Sequence, residues 1–393
     1  MGGGPRGETA VAGAEGVALT DVPAHATSVL RVDLGAIRRN YRMLARLASP
    51  ARVAAVVKAN GYGLGSREVA QALALEGCDT FFVATLDEAR VVREAVPQAA
   101  TYVLDGLPPG SANEYLRVGA APVLGSIAEI EDWARSSGPH TQRHSAAIHI
   151  DTGMTRLGLD AGDVRRIASD PSLLAAMQPA LVMSHLACGD EPDHPKNAAQ
   201  LAQFSALSAL LPHVPRSLAN SAGVFLGAPF RFDLVRPGIA LYGGAPLTNV
   251  ANPMEPAATL LGRVLQVRWA ERGETVGYGA GHTLSRRTRI ATVSTGYADG
   301  YLRALSASDA REGAFGVFDG RRLPMLGRVS MDLVMFDITE ASGVARGGFI
   351  ELIGAEMTVD KLAAFAGTIS YEVLTSIGRR AHRVYVGQWQ DGR

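Results

Sequence analysis

Between Arg52 and Gly243, short apolar runs alternate with longer stretches in which apolar residues recur every three or four positions. The runs are 53–57, 80–84, 100–104, 121–124, 146–150, 180–184, 217–219 and 233–235, eight in all. Helix start signals lie between them. Thr85 with Glu88, Ser111 with Glu114, and Ser126 with Glu129 each fit a capping box, in which hydroxyl and carboxylate satisfy free N–H groups of the first turn. Ser66 is placed to cap a helix that stops near Gly77, and the stretch 197–211 carries Leu201, Phe204, Leu207 and Leu211 on one face. Eight strands alternating with helices predict a parallel sheet closed into a (β/α)8 barrel. An open doubly wound sheet is the alternative, but no glycine-rich phosphate fingerprint follows the first strand. Ahead of these runs, 28–33 reads as a strand, followed by a helix with Leu34, Ile37, Tyr41 and Leu44 on one face. After Pro246 the alternation stops. The runs 260–267, 289–293, 329–338 and 348–353 are β-like and separated by turns such as Asp319-Gly320, with short helices near 359–365 and 371–377. The expected organisation is a disordered extension over 1–26, a barrel over 27–246 and a mostly β domain over 247–393.

The balance of 38 basic against 38 acidic residues gives no electrostatic case for nucleic acid or an anionic membrane. No apolar stretch is long enough to span a bilayer. The N-terminal segment lacks the basic end and apolar core of a signal peptide. The two cysteines, Cys78 and Cys188, supply neither a disulfide framework nor metal-ligand spacing, which suits a reducing cytoplasm.

Chemistry concentrates where the barrel strands end, the face on which such barrels build their sites. The apolar run 53–57 ends in Lys58, followed at once by Ala59-Asn60-Gly61-Tyr62-Gly63. A lysine at the mouth of an apolar strand loses hydration, its pKa falls, and it becomes a usable nucleophile of the Schiff-base kind. The fifth run leads into Asp151-Thr152-Gly153-Met154-Thr155-Arg156, His185 ends the sixth, Asn220 and Ser221 the seventh, and Arg236 the eighth, before Pro237-Gly238-Ile239. A lysine, two arginines, a histidine and a serine on one rim suit a ligand bearing phosphate and carboxylate. Ser221 and the backbone near Gly238 and Ile239 are the candidate phosphate cradle. Lysine and cradle together point to pyridoxal phosphate, which has an aldehyde for one and a phosphate for the other. Arg236 is then the candidate partner of the ring nitrogen. It can only donate there, which limits carbanion delocalisation and favours quick reprotonation. An ion pair of Arg236 with Asp233 is the purely structural alternative. In the β domain, Thr295-Gly296-Tyr297-Ala298-Asp299-Gly300 offers a tyrosine, a base only beside positive charge.

The chain resembles the bacterial alanine racemases, pyridoxal-phosphate enzymes of fold type III. Seven motifs recur in register: 57–63, 151–158, 184–185, 219–221, 235–239, 296–300 and Gly327-Arg328-Val329-Ser330-Met331-Asp332. The resemblance covers roughly 28–393 and implies the following roles. Lys58 carries the cofactor and handles the α-proton on the D face. Tyr297, entering from the partner subunit of a homodimer, handles it on the L face. Arg156 and the main chain at Met331 hold the substrate carboxylate, and Asp332 shapes the substrate side. His185 links Arg236 to Tyr297. Tyr62, Ser221, Gly238 and Ile239 bind the phosphate. Three departures stand out: His149 replaces a lysine that many members carbamylate, Leu64 replaces a histidine, and Gly378-Arg379-Arg380 replaces a phosphate-binding tyrosine. The expected activity is interconversion of L- and D-alanine, with D-alanine serving peptidoglycan. The alternatives are a broader racemase acting on serine, a decarboxylase on the same scaffold, and a non-catalytic pyridoxal-phosphate carrier.

Overall fold

The computed structural model describes residues 22–136 and 145–387. By contacts the described chain divides into two units, 33–257 with 386–387, and 22–32 with 258–385. The expected extension lies outside the described residues up to position 21. Val22–Ala26 depart from that expectation, because Ala26 is buried and closes a turn on the Pro23 carbonyl.

The first strand, β1 (Ser28–Asp33), pairs antiparallel with the long strand of the β unit rather than with the barrel. By contacts, therefore, β1 groups with the β unit, and the barrel unit runs from Asp33 to Ala257. An apolar run signals a strand but not its partner, and here Val29, Leu30 and Val32 are buried in the β unit's sheet.

The barrel unit starts at the helix Leu34–Ala48, capped by the Asp33 carboxylate, which accepts from the Ala36 N–H. Its strands are β2 (Arg52–Val53), β3 (Ala55–Val56), β4 (Thr80–Val83), β5 (Ala100–Val103), β6 (Ala121–Leu124), β7 (Ala146–His149), β8 (Pro179–Met183), β9 (Arg216–Ser217) and β10 (Leu234–Val235). β3 to β9 pair in parallel in sequence order, and β10 pairs in parallel with β2. Only Ala54 separates β2 from β3, so the two share one crossing of the ring. Arg236 N–H donates to the Ala219 carbonyl and Asp233 N–H to that of Arg216, which joins β9 to β10 and closes an eight-stranded (β/α)8 barrel. Phe81, Phe82, Val83, Ala147, Ile148, Val182 and Val235 are fully or almost fully buried, as strands covered on both faces require. Thr85–Glu88 forms its capping box, and Ser126 exchanges bonds with Glu129. Ser111 does not cap. Its hydroxyl donates back to the Pro108 carbonyl, and its backbone is already helical. Ser66 likewise opens its helix without capping it.

The β unit is a sheet ordered β14–β13–β16–β11–β1–β17, with β12 on β11 and β15 on β12. Its strands are β11 (Ala258–Ala270), β12 (Thr288–Ser294), β13 (Phe315–Phe318), β14 (Arg321–Pro324), β15 (Leu333–Asp337), β16 (Phe349–Ile353) and β17 (His382–Val386). The Asp319-Gly320 turn joins β13 to β14 with both residues at positive φ, 49° and 69°, the hairpin geometry that matches strand twist.

Candidate active site

Lys58 follows β3 after the single residue Val57 and opens a left-handed turn. Ala59, Asn60, Gly61 and Tyr62 have φ of 53°, 54°, 62° and 54°. For the three with side chains this costs on the order of 1 kcal/mol each. Specific bonds offset that cost. Gly61 N–H donates to Val57 O at 2.8 Å, Gly65 N–H to Asn60 O at 2.8 Å, and Ser66 N–H to Asn60 Oδ1 at 3.2 Å. Ala59 N–H donates to Glu88 Oε1 at 2.6 Å. Lys58 itself is half-buried. Burial first and the Arg156 guanidinium second hold its amine below the ordinary lysine range, against the opposing pull of Asp105 and Glu88.

The turn delivers Tyr62 to the end of the last strand. Its ring stacks on Tyr242 at 4.6 Å, and the Tyr242 hydroxyl donates to Val56 O at 2.9 Å. A Cβ on Gly238 would stand 2.1 Å from the Tyr62 hydroxyl oxygen, so only glycine lets the two approach. Ser221 Oγ accepts from Gly238 N–H at 2.8 Å and from Ala240 N–H at 3.2 Å. Its own O–H proton remains for a further acceptor. The Gly238 N–H, expected to face a phosphate, is thus held by Ser221, and the cradle is left to the Ser221 hydroxyl, Tyr62 and the Ile239 N–H. Ile239 opens the 3-10 turn Ile239–Tyr242, so its N–H has no partner inside that turn.

Arg236 is buried, and no carboxylate pairs with it among the described residues. Asp233, its structural alternative, instead accepts from the Arg216 N–H. Arg236 donates to Ser217 Oγ and Ser184 O and lies 3.5 Å from His185 Nδ1. Burial brings its guanidinium down to about 9, still protonated at neutral pH. His185 is pushed well below the ordinary histidine range by desolvation and then by Arg236, Arg156, Lys58 and His149, so its ring is neutral and free to accept. His149 comes down to about 4 by burial and by Arg236. Arg156 is exposed and makes no hydrogen bond or ion pair among the described residues. The barrel unit therefore brings Lys58, Tyr62, Arg156, His185, Ser221, Arg236, Gly238 and Ile239 to one rim.

Gln200 and Glu88 were not singled out for this site by the sequence. Gln200, fully buried on the helix Pro195–Ser208, donates to Thr152 Oγ1 and His185 O and accepts from Ala187 N–H. It ties the loop bearing Arg156 to the loop bearing His185. A polar residue at a core-facing position is the signal that marks it.

In the β unit, Tyr297 N–H donates to Ser330 O and Ala298 N–H to Met331 O, so Tyr297, Met331 and Asp332 share one surface. Tyr297 and Met331 are 43% and 53% exposed. A Cβ on Gly296 would stand 2.2 Å from Met331 O, which is why a glycine precedes the tyrosine. Arg380 pairs with Asp332 at 2.9 Å and with Asp299 at 3.3 Å, so it is committed to carboxylates and not to a phosphate. Tyr278 was also not singled out. It is 73% exposed on a turn with Gly277, Gly279 and Ala280 at φ of 76°, 75° and 48°. Arg328 Nη1 lies 2.9 Å from where a Gly279 Cβ would be and has no partner among the described residues. The Gly-Tyr-Gly sequence was the available signal.

Residues 32–246 match the family model described as alanine racemase, N-terminal domain, and residues 257–385 the one described as alanine racemase, C-terminal domain. The chain is 47% identical over 366 residues to the alanine racemase of Rhodospirillum rubrum, covering 92% of this chain and 96% of that one. It is 47% identical over 367 residues to the catabolic alanine racemase of Mesorhizobium japonicum, covering 93% and 94%. The structure of alanine racemase from Bartonella henselae with covalently bound pyridoxal phosphate superposes with a TM-score of 0.86 at 39% identity, covering 92% of this chain and 100% of that one. The biosynthetic alanine racemase of Pseudomonas aeruginosa does so with a TM-score of 0.84 at 36% identity, covering 92% and 99%. The chain belongs to the alanine racemase family.

Proposed function

We propose that this protein is a pyridoxal 5'-phosphate-dependent alanine racemase that supplies D-alanine for peptidoglycan in the cytoplasm. The observation that carries the reading is the rim itself: it holds both an amine below its ordinary pKa and a buried arginine whose partners are all uncharged. The residues present fit the cofactor. Lys58 would hold its aldehyde, and Ser221, Tyr62 and Ile239, packed around the Cβ-free Gly238, would hold its phosphate. When bound, pyridoxal phosphate supplies a ring that takes up the electron pair left at an amino acid's α-carbon when the proton departs. Arg236 would be the donor to its ring nitrogen and would keep its own proton, which favours return of a proton to the α-carbon over decarboxylation or transamination. The neutral His185 keeps Arg236 in place without competing for charge. Arg156, unpaired among the described residues, holds the substrate carboxylate, and the family resemblance adds the Met331 main chain and Asp332 to the residues facing substrate.

Lys58 Nζ moves the α-proton on one face. A tyrosine hydroxyl from the β unit of a second copy moves it on the other, and a homodimer follows from that. Sequence resemblance selects the partner subunit's Tyr297. The surroundings of Tyr278 favour it for the same role. Arg328, a cation without a partner among the described residues, packs against the Tyr278 turn at Gly279, whereas the Tyr297 turn contains Asp299 and borders Asp332, two carboxylates sharing Arg380. No helix of the described residues is long and apolar enough to cross a membrane. Circular dichroism of the purified protein with L-alanine should decay to zero as the racemic mixture forms. L-alanine left optically unchanged with pyridoxal phosphate present would overturn the proposal, and faster decay with L-serine would move it to the broader racemase.

A further inference from the structure

We propose that Glu88, which the sequence marks only as a helix cap, is the positioning residue that aims Lys58, by pinning the peptide group between Lys58 and Ala59. The inference rests on Lys58 being the amine that acts in this site.

The carboxylate is shared between two strand ends. Oε1 accepts from Ala59 N–H at 2.6 Å, and Oε2 accepts from Ala84 N–H at 2.8 Å. The bond a capping box calls for, from Thr85 N–H, is stretched to 3.5 Å. Glu88 is thus drawn away from its own helix toward the segment carrying Lys58, and it couples the end of β3 to the end of β4. Ala59 and Asn60 then adopt left-handed conformations that ordinary residues avoid. A backbone in that state persists only when its surroundings over-determine it. The bond at Ala59 fixes the first peptide plane of the run, and with it the direction in which the Lys58 Cα carries its side chain. Glu88 also stands with Asp105 as a negative charge near the amine, opposing Arg156.

The role demands a carboxylate. Both oxygens accept from backbone N–H groups, and a carboxylate alone offers two acceptors in that geometry. Glutamine has nearly the same shape, yet its NH2 must face one of those N–H donors. Glu88→Gln therefore breaks one bridge with little change in volume.

The test compares the full-length protein with Glu88→Gln and Thr85→Ala. Thr85 Oγ1 accepts from the Glu88 N–H at 3.4 Å, so its loss weakens the same helix cap and leaves the Lys58 segment alone. Two readouts are taken. One is hydrogen–deuterium exchange of residues 58–63, and the other is the rate at which hydroxylamine strips pyridoxal phosphate from the purified protein, followed by visible absorbance. Glu88→Gln should raise both rates about tenfold, the worth of one hydrogen bond to a charged group. Thr85→Ala should match the wild type in both. Wild-type exchange in Glu88→Gln, or equal acceleration by Thr85→Ala, overturns the positioning role. Should the wild type hold no pyridoxal phosphate, the functional reading falls, and the exchange comparison alone then upholds or overturns the role of Glu88.

Discussion

Replacing Gly238 by alanine tests the floor of the cradle most sharply. Gly238 has φ −120°, so alanine pays nothing for a left-handed backbone there. Its new Cβ would lie 2.1 Å from the Tyr62 hydroxyl oxygen and 2.9 Å from Cζ. A non-bonded carbon–oxygen pair needs more than 3 Å, so the hydroxyl must retreat by about 1 Å. The ring cannot simply slide, because Tyr242 stacks on it at 4.6 Å and is itself tied to Val56 O. The left-handed turn from Ala59 to Tyr62 must give instead, and that turn carries Lys58. Overpacking of this kind costs about 1–3 kcal/mol. For a unit of this size that lowers Tm by roughly 2–10 °C. Differential scanning calorimetry reads the stability. Titration with pyridoxal phosphate, followed by absorbance, should show affinity reduced about tenfold as Tyr62 and Ser221 lose their common geometry. Unchanged Tm together with unchanged affinity would refute the packing of Tyr62 against Gly238.

Other outcomes follow from the same geometry. Tyr278→Phe should suppress exchange of the α-proton of L-alanine into deuterium oxide about a hundredfold or more, against a smaller loss for Tyr297→Phe, and the reverse order would return the base to Tyr297. His149, with its folded pKa near 4 below an unfolded value of 6.5, binds its proton more readily when unfolded. Stability should therefore fall as pH drops from about 6.5 to 4, by on the order of 3 kcal/mol for this group. Urea titrations at pH 7 and pH 5 should show a smaller difference in His149→Gln, and an equal difference would count against a buried neutral imidazole. Gly300→Ala combines a φ of +90° with a Cβ only 1.8 Å from Ser376 O, so it should cost several kcal/mol and abolish the thermal transition of the β unit.

Much of the barrel was legible because its parallel strands are buried on both faces and stand out as apolar runs between amphipathic helices. The runs 80–84 and 121–124 fall on β4 and β6 almost residue for residue. What a run cannot carry is its partner, so β1 was read with the barrel although it pairs with β11. β13 is four residues long and broken by Gly316, and β14 and β17 mix charge with apolar residues over Arg321–Pro324 and His382–Val386, so none of the three stands out as an apolar run. At the site, Lys58, Arg236 and Ser221 were visible as polar residues ending apolar strands. The groups that hold them were not. Gln200 and Glu88 act through atoms brought together from distant loops, and spacing along the chain contains no trace of those bonds.

The chain contains three lysines, Lys58, Lys196 and Lys361, which makes one measurement unusually clean. The purified protein is reduced with borohydride in the presence of pyridoxal phosphate, digested, and mapped by mass spectrometry. The pyridoxyl mass is expected on the peptide containing Lys58, and on no other amine at stoichiometric yield. A stoichiometric label on Lys196, Lys361 or the amino terminus, or no label anywhere, would contradict the assignment of Lys58 as the amine at the centre of this site.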